Sequence, residues 1–321
     1  MPAERIVIGT RGSELALWQS RFIQSSLNEL FPSCTVELTV IKTLGDKILD
    51  SPLSKIGDKG LFTKEIEKAL LDGTIDLAVH SLKDIPTLIP RGLTLGAITK
   101  REDVRDVFIA HPAKPHRTLA EVPRGGAIAT GSLRRKCQLL HLRPDLHIVD
   151  LRGNLNTRMK KLEESSWDGM VLAYAGLKRL GWEKRMTEVL SCDTLLPAVG
   201  QGALGIETRQ GDQRVRKMVQ KLHHLPTAQS VTGERSLLRH LEGGCQVPIG
   251  TFGRIEKGRF RLEALVGSLD GTRIVRGHIV GDPDRSESLG VELAKQLLES
   301  GAREILEAIR LTGTTIPRAE V

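Results

Sequence analysis

Aromatic residues are scarce in this chain: Phe, Trp and Tyr together make up 3% of its 321 residues. Proteins that bind single-stranded nucleic acid usually stack bases on aromatic rings, so this scarcity argues against that class. A nucleic-acid binder is then supported by the net charge of +8 alone. Because the basic residues are dispersed among predicted turns and form no single tract, we expect a small, carboxylate-rich ligand and no nucleic-acid partner.

Cysteine is also rare, and its positions are far apart. The chain has four, at Cys34, Cys137, Cys192 and Cys245, and none belongs to a CxxC pair. This spacing predicts neither a zinc site nor a disulfide framework. The nine histidines do not cluster with acids or thiols, so we expect no bound metal. Cysteines of this kind fit the reducing cytoplasm.

Long apolar runs are missing as well. No run approaches the length that is needed to cross a bilayer. The start, Met1–Arg5, carries charge at once and leads into a short apolar segment, which argues against a signal peptide. We therefore expect a cytoplasmic protein without a membrane partner.

Strand-like and helix-like segments alternate along most of the chain, a pattern typical of α/β layers. The first predicted elements are a strand at Arg5–Thr10, a helix between Ser13 and Pro32, a strand at Thr35–Lys42, a helix at Thr63–Leu71 and a strand at Ile75–Val79. Periodicity fails between Thr43 and Gly60, where glycine and lysine residues mix. We interpret that stretch as a long lid loop over an anion.

A second α/β run covers Ala127–Leu180, and the end of the chain differs from it. The predicted strands of the second run lie near Ala127–Thr130, His147–Leu151 and Met170–Ala173. The last part predicts a helix at Ala228–Leu241, strands at Arg259–Val266 and Arg273–Val280, and a helix from Ser286. This change of pattern indicates a smaller α+β domain that carries Cys245. No internal repeat is evident in the sequence.

The segment His80–Pro86 follows the strand predicted at Ile75–Val79, so its side chains lie at the carboxyl end of a strand. Ligands of open α/β sheets bind at such ends. A fixed carboxylate at Asp84 can stabilise a developing cation or move a proton. The alternative is a surface turn in which Lys83 and Asp84 form a solvated pair.

Arginines recur at comparable places after predicted strands. They are Arg11, Arg134, Arg135, Arg152, Arg158 and Arg179. The planar guanidinium group suits carboxylates, and Gly131–Ser132 can present the N-terminus of a helix to the same anion. A single arginine of this kind is expected to be a solvated surface residue, but several at successive strand ends indicate a site for an anion.

A turn with glycines at Leu241–Gly250 places Cys245 where its sulfur can reach solvent and react as a thiolate. The alternative is a helix C-cap with an incidental cysteine. Another glycine-rich stretch, Gly200–Gly205, matches the dinucleotide pattern GxGxxG. We reject a nucleotide site there because Pro197 precedes it, β-like residues follow it, and Lys221–His223 occupies the place of the expected acid.

Eight segments, taken in order, resemble the porphobilinogen deaminase family, also called hydroxymethylbilane synthases, from Ile6 to Ile309. They are GTRGSELALWQ at 9–19, GDKGLFTKEIEKAL at 57–70, DLAVHSLKDIP at 76–86, GSLRRKCQL at 131–139, RGNLNTR at 152–158, LAYAGLKRLG at 172–181, LPAVGQGALGIE at 196–207 and LEGGCQVPIG at 241–250. An ordered set of this size is not expected by coincidence.

The resemblance implies an α/β fold with two lobes similar to type II periplasmic binding proteins and a smaller α+β C-terminal domain. The implied boundaries are residues 1–102 with 199–222 for the first lobe, which includes the lid at 43–60; 103–198 for the second lobe; 223–312 for the cofactor-anchoring domain; and 313–321 for a tail. It also implies a monomer.

The activity that the resemblance implies is the head-to-tail polymerisation of four porphobilinogen molecules with loss of ammonia. The growing chain is expected on a dipyrromethane cofactor that is bound to Cys245 through a thioether. Water then releases hydroxymethylbilane, a linear tetrapyrrole of haem biosynthesis. The alternative is a non-catalytic binding protein for an anionic small molecule, which has the same two lobes but gives Cys245 no purpose.

The resemblance implies one catalytic residue and two groups of binding residues, one for the cofactor and one for the substrate. Asp84 is the expected catalytic carboxylate, since positive charge develops on each pyrrole during the reaction. The residues expected at the cofactor are Lys83, Asp84, Ser132, Arg134, Arg135 and Cys245, and those expected at the substrate are Arg11, Ser13, Phe62, Arg152, Arg158, Arg179 and Gln201. Two residues depart from the family pattern: Asp58 replaces a glycine in the lid, and Leu82 replaces a methionine of similar volume.

Overall fold

The computed structural model describes residues 4–47, 62–241 and 247–311. These residues fall into two compact units. The first unit contains 4–47, 62–102 and 202–228, and the second contains 103–201, 229–241 and 247–311. The chain therefore leaves the first unit after residue 102 and returns to it at residue 202. The three-domain boundaries predicted above remain a prediction.

The strands and helices follow one another along the chain as the sequence predicted in outline. The strands are β1 Glu4–Thr10, β2 Cys34–Val40, β3 Leu77–Ser81, β4 Leu93–Ile98, β5 Asp106–Ala110, β6 Ala127–Ala129, β7 His147–Val149, β8 Gly169–Ala173, β9 Glu188–Leu190, β10 Leu204–Arg209, β11 Ile249–Glu256, β12 Arg259–Gly267 and β13 Ile274–Gly281. The helices are α1 Glu14–Leu30, α2 Leu44–Lys47, α3 Lys64–Leu71, α4 Leu133–Leu142, α5 Leu155–Glu163, α6 Tyr174–Arg179, α7 Gln213–Val219, α8 Leu225–His240, α9 Ser286–Leu297 and α10 Arg303–Leu311.

The first unit is built on a five-stranded sheet with the order β2-β1-β3-β10-β4. Strand β1 pairs in parallel with β2 and β3, whereas β10 runs antiparallel to β3 and β4. Side chains alternate across a strand. Leu77 and Val79 therefore pack in the cluster that contains α1 and α7, while Ala78 packs with Ile66 and Leu70 of α3.

The second unit contains a five-stranded sheet and a three-stranded sheet. The larger one has the order β7-β6-β8-β5-β9, with β6 parallel to β7 and β8 and with β5 antiparallel to β8 and β9. The pattern of parallel and antiparallel pairs is that of the first sheet, but the fourth strand of the order comes last along the chain in the first sheet and first in the second. The smaller sheet is an antiparallel meander of β11, β12 and β13 that packs against α8, α9 and α10. The predicted α/β architecture is confirmed, with one five-stranded mixed sheet in each unit and a smaller α+β part in the second unit.

Two sequence predictions need correction in the first unit. The strand predicted at Ile75–Val79 lies at Leu77–Ser81, because the amide of Ile75 still donates to Ala69 O in the turn that ends α3. The apolar Ile75 packs on Ile66 and Leu70 of that helix and does not begin the strand. The irregular stretch predicted from Thr43 includes helix α2, and the remainder of the predicted lid, with Asp58, lies outside the described residues.

None of the helices within the described ranges combines the length and the apolar character that a membrane crossing requires.

Candidate functional site

The first-unit candidates lie after two neighbouring parallel strands. Arg11 directly follows β1, and Lys83 and Asp84 belong to a single helical turn, Leu82–Asp84, directly after β3. Because β1 and β3 pair in parallel, their carboxyl ends meet at the same edge of the sheet. The Asp84 side chain is exposed and Lys83 is half-buried. An exposed carboxylate is thus placed next to basic residues at a sheet edge.

The Asp84 turn is held firmly by its neighbours. Leu82 and Ile85 are 1% and 3% exposed and pack over Gly205 of β10, where an added Cβ would lie 2.7 Å from Ile85 Cδ1. The Leu82 amide donates to Ala203 O at 3.0 Å. The sequence alone did not indicate Gln19, a buried residue of α1 whose Nε2 donates to Ser81 Oγ at 2.8 Å. The apolar residues on both sides of Lys83 and Asp84 therefore anchor the turn that presents them.

Arg11, Phe62 and Ser13 have identifiable partners within the first unit. The Arg11 guanidinium carbon lies 4.1 Å from the centroid of the Phe62 ring, a cation–π contact. Ser13 is the N-cap of α1, and its Oγ accepts a hydrogen bond from the Ala16 amide at 3.4 Å. The structure brings Arg11 and Phe62 together, and the roles predicted for them toward a substrate remain predictions.

Four second-unit candidates follow β6, β7 and β8, which are neighbours and run in parallel. Ser132 precedes α4, Arg152 follows β7, Arg158 lies on α5, and Arg179 is the last residue of α6. Burial lowers the pKa of Arg152, which is half-buried. The Arg158 Nε donates to Gly153 O at 2.8 Å. Ser132 and Arg152 therefore follow the carboxyl ends of neighbouring strands, whereas Arg158 and Arg179 lie further along the helices that come after them.

Arg134, Arg135 and Gln201 bind an acid that the sequence analysis missed. Asp106, the first residue of β5, is fully buried, and its Oδ2 lies 2.8 Å from Arg134 Nη1. Its Oδ1 accepts hydrogen bonds from Arg135 Nη2 at 2.7 Å and from Gln201 Nε2 at 2.8 Å. The signal in the sequence is a carboxylate that opens the otherwise apolar strand Asp106–Ala110.

This buried network carries more positive than negative charge. Burial disfavours the charged form of Asp106, but the guanidinium groups of Arg134 and Arg135 outweigh it and hold the pKa of that carboxyl far below its ordinary value. Two guanidinium groups face one carboxylate. The Nε atoms of Arg134 and Arg135 are also buried without a hydrogen-bond acceptor in the part of the chain that the structure describes. The excess positive charge of the network fits a carboxylate-rich group such as dipyrromethane.

The backbone leading into α4 leaves no room for a side chain at Gly131. A Cβ at this position would lie 2.3 Å from Leu151 O, a backbone atom that cannot turn away. We expect Gly131→Ala to lower the free energy of unfolding by about 1–3 kcal/mol because the chain must shift. Urea denaturation measures this change. Gly211→Ala is the matched control, since its Cβ would meet nothing within 4 Å, and equal stability of the two variants would contradict the prediction.

Other predicted positions give a mixed result. Cys245 lies outside the described residues, so its role stays a prediction.

The glycine-rich stretch at 200–205 leads into strand β10 and not into a helix, which agrees with the rejection of a dinucleotide site. Within residues 4–47, 62–241 and 247–311, no group of three or more His, Cys, Asp or Glu residues is placed to hold a metal ion.

Comparisons with known proteins cover almost the whole chain. Residues 6–217 match the family model described as porphobilinogen deaminase, dipyromethane cofactor binding domain, and residues 228–299 match that of the porphobilinogen deaminase C-terminal domain. The porphobilinogen deaminase of Chlorobium phaeobacteroides strain BS1 is 52% identical over 313 residues, which cover 96% of this chain and 99% of that protein. The one of Chlorobaculum parvum is 54% identical over 312 residues, with coverages of 96% and 99%.

Among solved structures, the effector binding domain of BenM with its effector benzoate is 14% identical and has a TM-score of 0.42, and full-length BenM is 13% identical and has a TM-score of 0.41. The domain match covers 69% of this chain and 92% of that chain.

The fold and the family matches together define an enzyme that carries a dipyrromethane cofactor-binding domain. The chain belongs to the porphobilinogen deaminase family, as its ordered motifs predicted.

Proposed function

We propose that this chain polymerises porphobilinogen head to tail, with release of ammonia and then of hydroxymethylbilane by hydrolysis. The observation that carries this proposal is the family match over 96% of the chain at 52% identity. The two-lobed fold is equally suited to a non-catalytic binding protein, but that alternative does not account for a dipyrromethane cofactor-binding domain. We further propose that the enzyme is a cytoplasmic monomer.

Asp84 is the catalytic carboxylate in this proposal. When the amine of porphobilinogen leaves, positive charge develops on the pyrrole, and a fixed anion lowers the barrier by stabilising that charge. The exposed position of Asp84 after β3 leaves its carboxylate accessible to a substrate. The buried anchors Leu82 and Ile85 hold the turn, so little reorganisation is needed during the reaction.

Basic and polar residues would hold the acetate and propionate groups of porphobilinogen. In the first unit these are Arg11 and Ser13, with Phe62 packing against a pyrrole ring. In the second unit they are Arg152, Arg158, Arg179 and Gln201. Asp106 accepts hydrogen bonds from Gln201, Arg134 and Arg135, and it would orient these side chains toward the bound groups. The remaining arginines are less buried and suit direct contact with carboxylates.

Lys83, Asp84, Ser132, Arg134 and Arg135 would hold the dipyrromethane cofactor, and Cys245 would bind it covalently. When bound, the cofactor supplies the primer to which porphobilinogen units are added. Ser132 is the N-cap residue of α4, and Arg134 and Arg135 lie in the first turn of that helix, which supports this assignment. The charge of two guanidinium groups against one Asp106 carboxylate supports it as well.

Intact mass under denaturing conditions tests the proposal. We expect the purified wild-type chain to carry the additional mass of one dipyrrole, because a thioether survives denaturation. Cys245→Ser should lack this mass and should form no hydroxymethylbilane. Cys192→Ser is the matched control, since Cys192 is a half-buried cysteine elsewhere in the chain, and it should keep both the mass and the activity. A fully active wild-type chain without the added mass would overturn the proposal.

A further inference from the structure

Three titratable side chains that the proposed mechanism does not use are buried together in the first unit. They are Glu67 of α3, His80 of β3 and Glu207 of β10, which are 8%, 6% and 0% exposed. Buried ionisable groups are costly unless they are paired, and an apolar replacement is often equally stable. Such a cluster beside a proposed active site therefore suggests a functional role.

The sheet register places His80 and Glu207 side by side. Gly205 pairs with His80 and Glu207 pairs with Ala78, so the side chains of His80, Ala78 and Glu207 share one face of the sheet. His80 Nε2 lies 3.3 Å from Glu207 Oε2. Ala78 packs against Ile66 and Leu70 of α3, so this is the face that α3 covers. The pair is therefore enclosed between the helix and the sheet.

Glu67 brings a second carboxylate to the same layer. Burial raises the pKa of Glu67, and the Glu207 carboxylate adds to this effect, whereas the Thr63 hydroxyl, His80 and Lys64 oppose it. Neither carboxylate oxygen of Glu207 has a hydrogen-bond partner of good geometry among the described residues. A nearby carboxylate disfavours the ionisation of a buried one, which here applies to Glu67. A proton held at Glu67 would relieve that repulsion.

The cluster joins the elements that carry proposed site residues. His80 lies on the strand that continues directly into the turn with Lys83 and Asp84. Helix α3 begins just after Phe62, whose ring lies under the Arg11 guanidinium. If the packing of α3 against β3 and β10 changed, β3 would shift, and the turn with Asp84 that follows it would shift as well.

We propose that Glu67, His80 and Glu207 form a positioning cluster that holds α3 on β3 and β10 and thereby fixes the geometry of the Asp84 turn. This inference rests on the proposed function of Asp84. The three residues do not touch the reacting atoms in this proposal. They act through the strand and the helix that they join.

A double-mutant comparison in the cofactor-loaded enzyme tests the cluster. His80→Gln leaves the Glu207 carboxylate without its imidazole, and we expect kcat to fall about tenfold with KM changed less than about twofold. His80→Gln combined with Glu207→Gln removes both partners, so kcat should recover to within about threefold of wild type. His147→Gln, at an exposed strand histidine of the second unit, is the matched control and should match wild type.

The outcomes separate this inference from the proposed function. An inactive wild-type enzyme would reject the proposed function itself. With an active wild type, an unchanged kcat in His80→Gln would overturn the cluster and leave the function intact. A kcat loss that the double variant does not recover would also overturn it.

Glu67→Gln gives a second measurement that does not need His80→Gln to fold. The pKa of Glu67 is raised in the folded state, so its contribution to stability is present below the ordinary Glu pKa and is lost as pH rises through the raised value. Glu67→Gln should therefore unfold at the wild-type temperature near pH 4.5 and about 2–4 °C higher near pH 8. It should also make kcat less dependent on pH. A constant difference in unfolding temperature across this range would contradict a proton held at Glu67.

Discussion

Asp84→Asn is expected to retain porphobilinogen binding and to lose turnover by a factor of about 10²–10³, as loss of one preorganised electrostatic group does elsewhere. Asparagine has nearly the same shape but carries no charge, so it cannot stabilise the positive pyrrole. Because the side chain is exposed at the end of its turn, the substitution should leave the fold unchanged. Steady-state rates of hydroxymethylbilane formation, with KM measured in parallel, check this result.

Asp72→Asn is the matched control for this measurement. Asp72 is also an exposed aspartate of the first unit, but it lies in the turn before β3, at the opposite end of the strand from Asp84. This variant should keep wild-type turnover. Near-normal kcat in Asp84→Asn would reject the assigned role, and an equal loss in both variants would point to a general effect of charge.

Asp106→Asn is expected to destabilise the protein strongly, by about 3 kcal/mol or more. The substitution leaves the guanidinium groups of Arg134 and Arg135 buried without the carboxylate that both contact. The pKa of Asp106 is far below its ordinary value, so its contribution to stability is present above the ordinary Asp pKa and is lost as pH falls toward the lowered value. Urea denaturation at neutral pH therefore measures the full effect.

Glu163→Gln provides the comparison for Asp106→Asn. Glu163 lies 2.9 Å from Arg185 in the same unit, but both side chains are largely exposed, so its loss should change the free energy of unfolding by less than about 1 kcal/mol. If Asp106→Asn were no less stable than this surface variant, the buried network would not hold the second unit together. Cofactor loading of the folded fraction should also fall, because Asp106 orients Arg134 and Arg135.

Local patterns in the sequence were sufficient to place the strand-end residues. Apolar segments near Arg5–Thr10 and Ala127–Thr130 predicted the strands after which Arg11 and Ser132 lie, since a buried strand needs a continuous apolar stretch. The strand before Asp84 was predicted two residues too early, because the apolar Ile75 packs against α3 and is not part of the strand. Periodicity cannot show which of two neighbouring elements an apolar side chain covers.

Contacts between distant segments could not be predicted from local pattern. Arg134 is 28 residues from Asp106, and Gln201 is 95 residues from it, so nothing near either residue indicates the pairing. Arginines after a strand suggested ligand contacts, but the local pattern gave no sign that Arg134 and Arg135 also bind an internal carboxylate. The partnership of Glu207 with His80 was hidden for the same reason, because it depends on where β10 joins the sheet.

The position of β10 between β3 and β4 has a consequence for synthesis on the ribosome. Its residues, Leu204–Arg209, emerge about a hundred residues after those of β4, at Leu93–Ile98. Until β10 has emerged, the edges of β3 and β4 that it will cover have unpaired backbone groups. Such edges can pair incorrectly with other strands or chains. The segment that builds the second α/β sheet must leave the exit tunnel first, so the first unit matures late in translation although it contains the start of the chain.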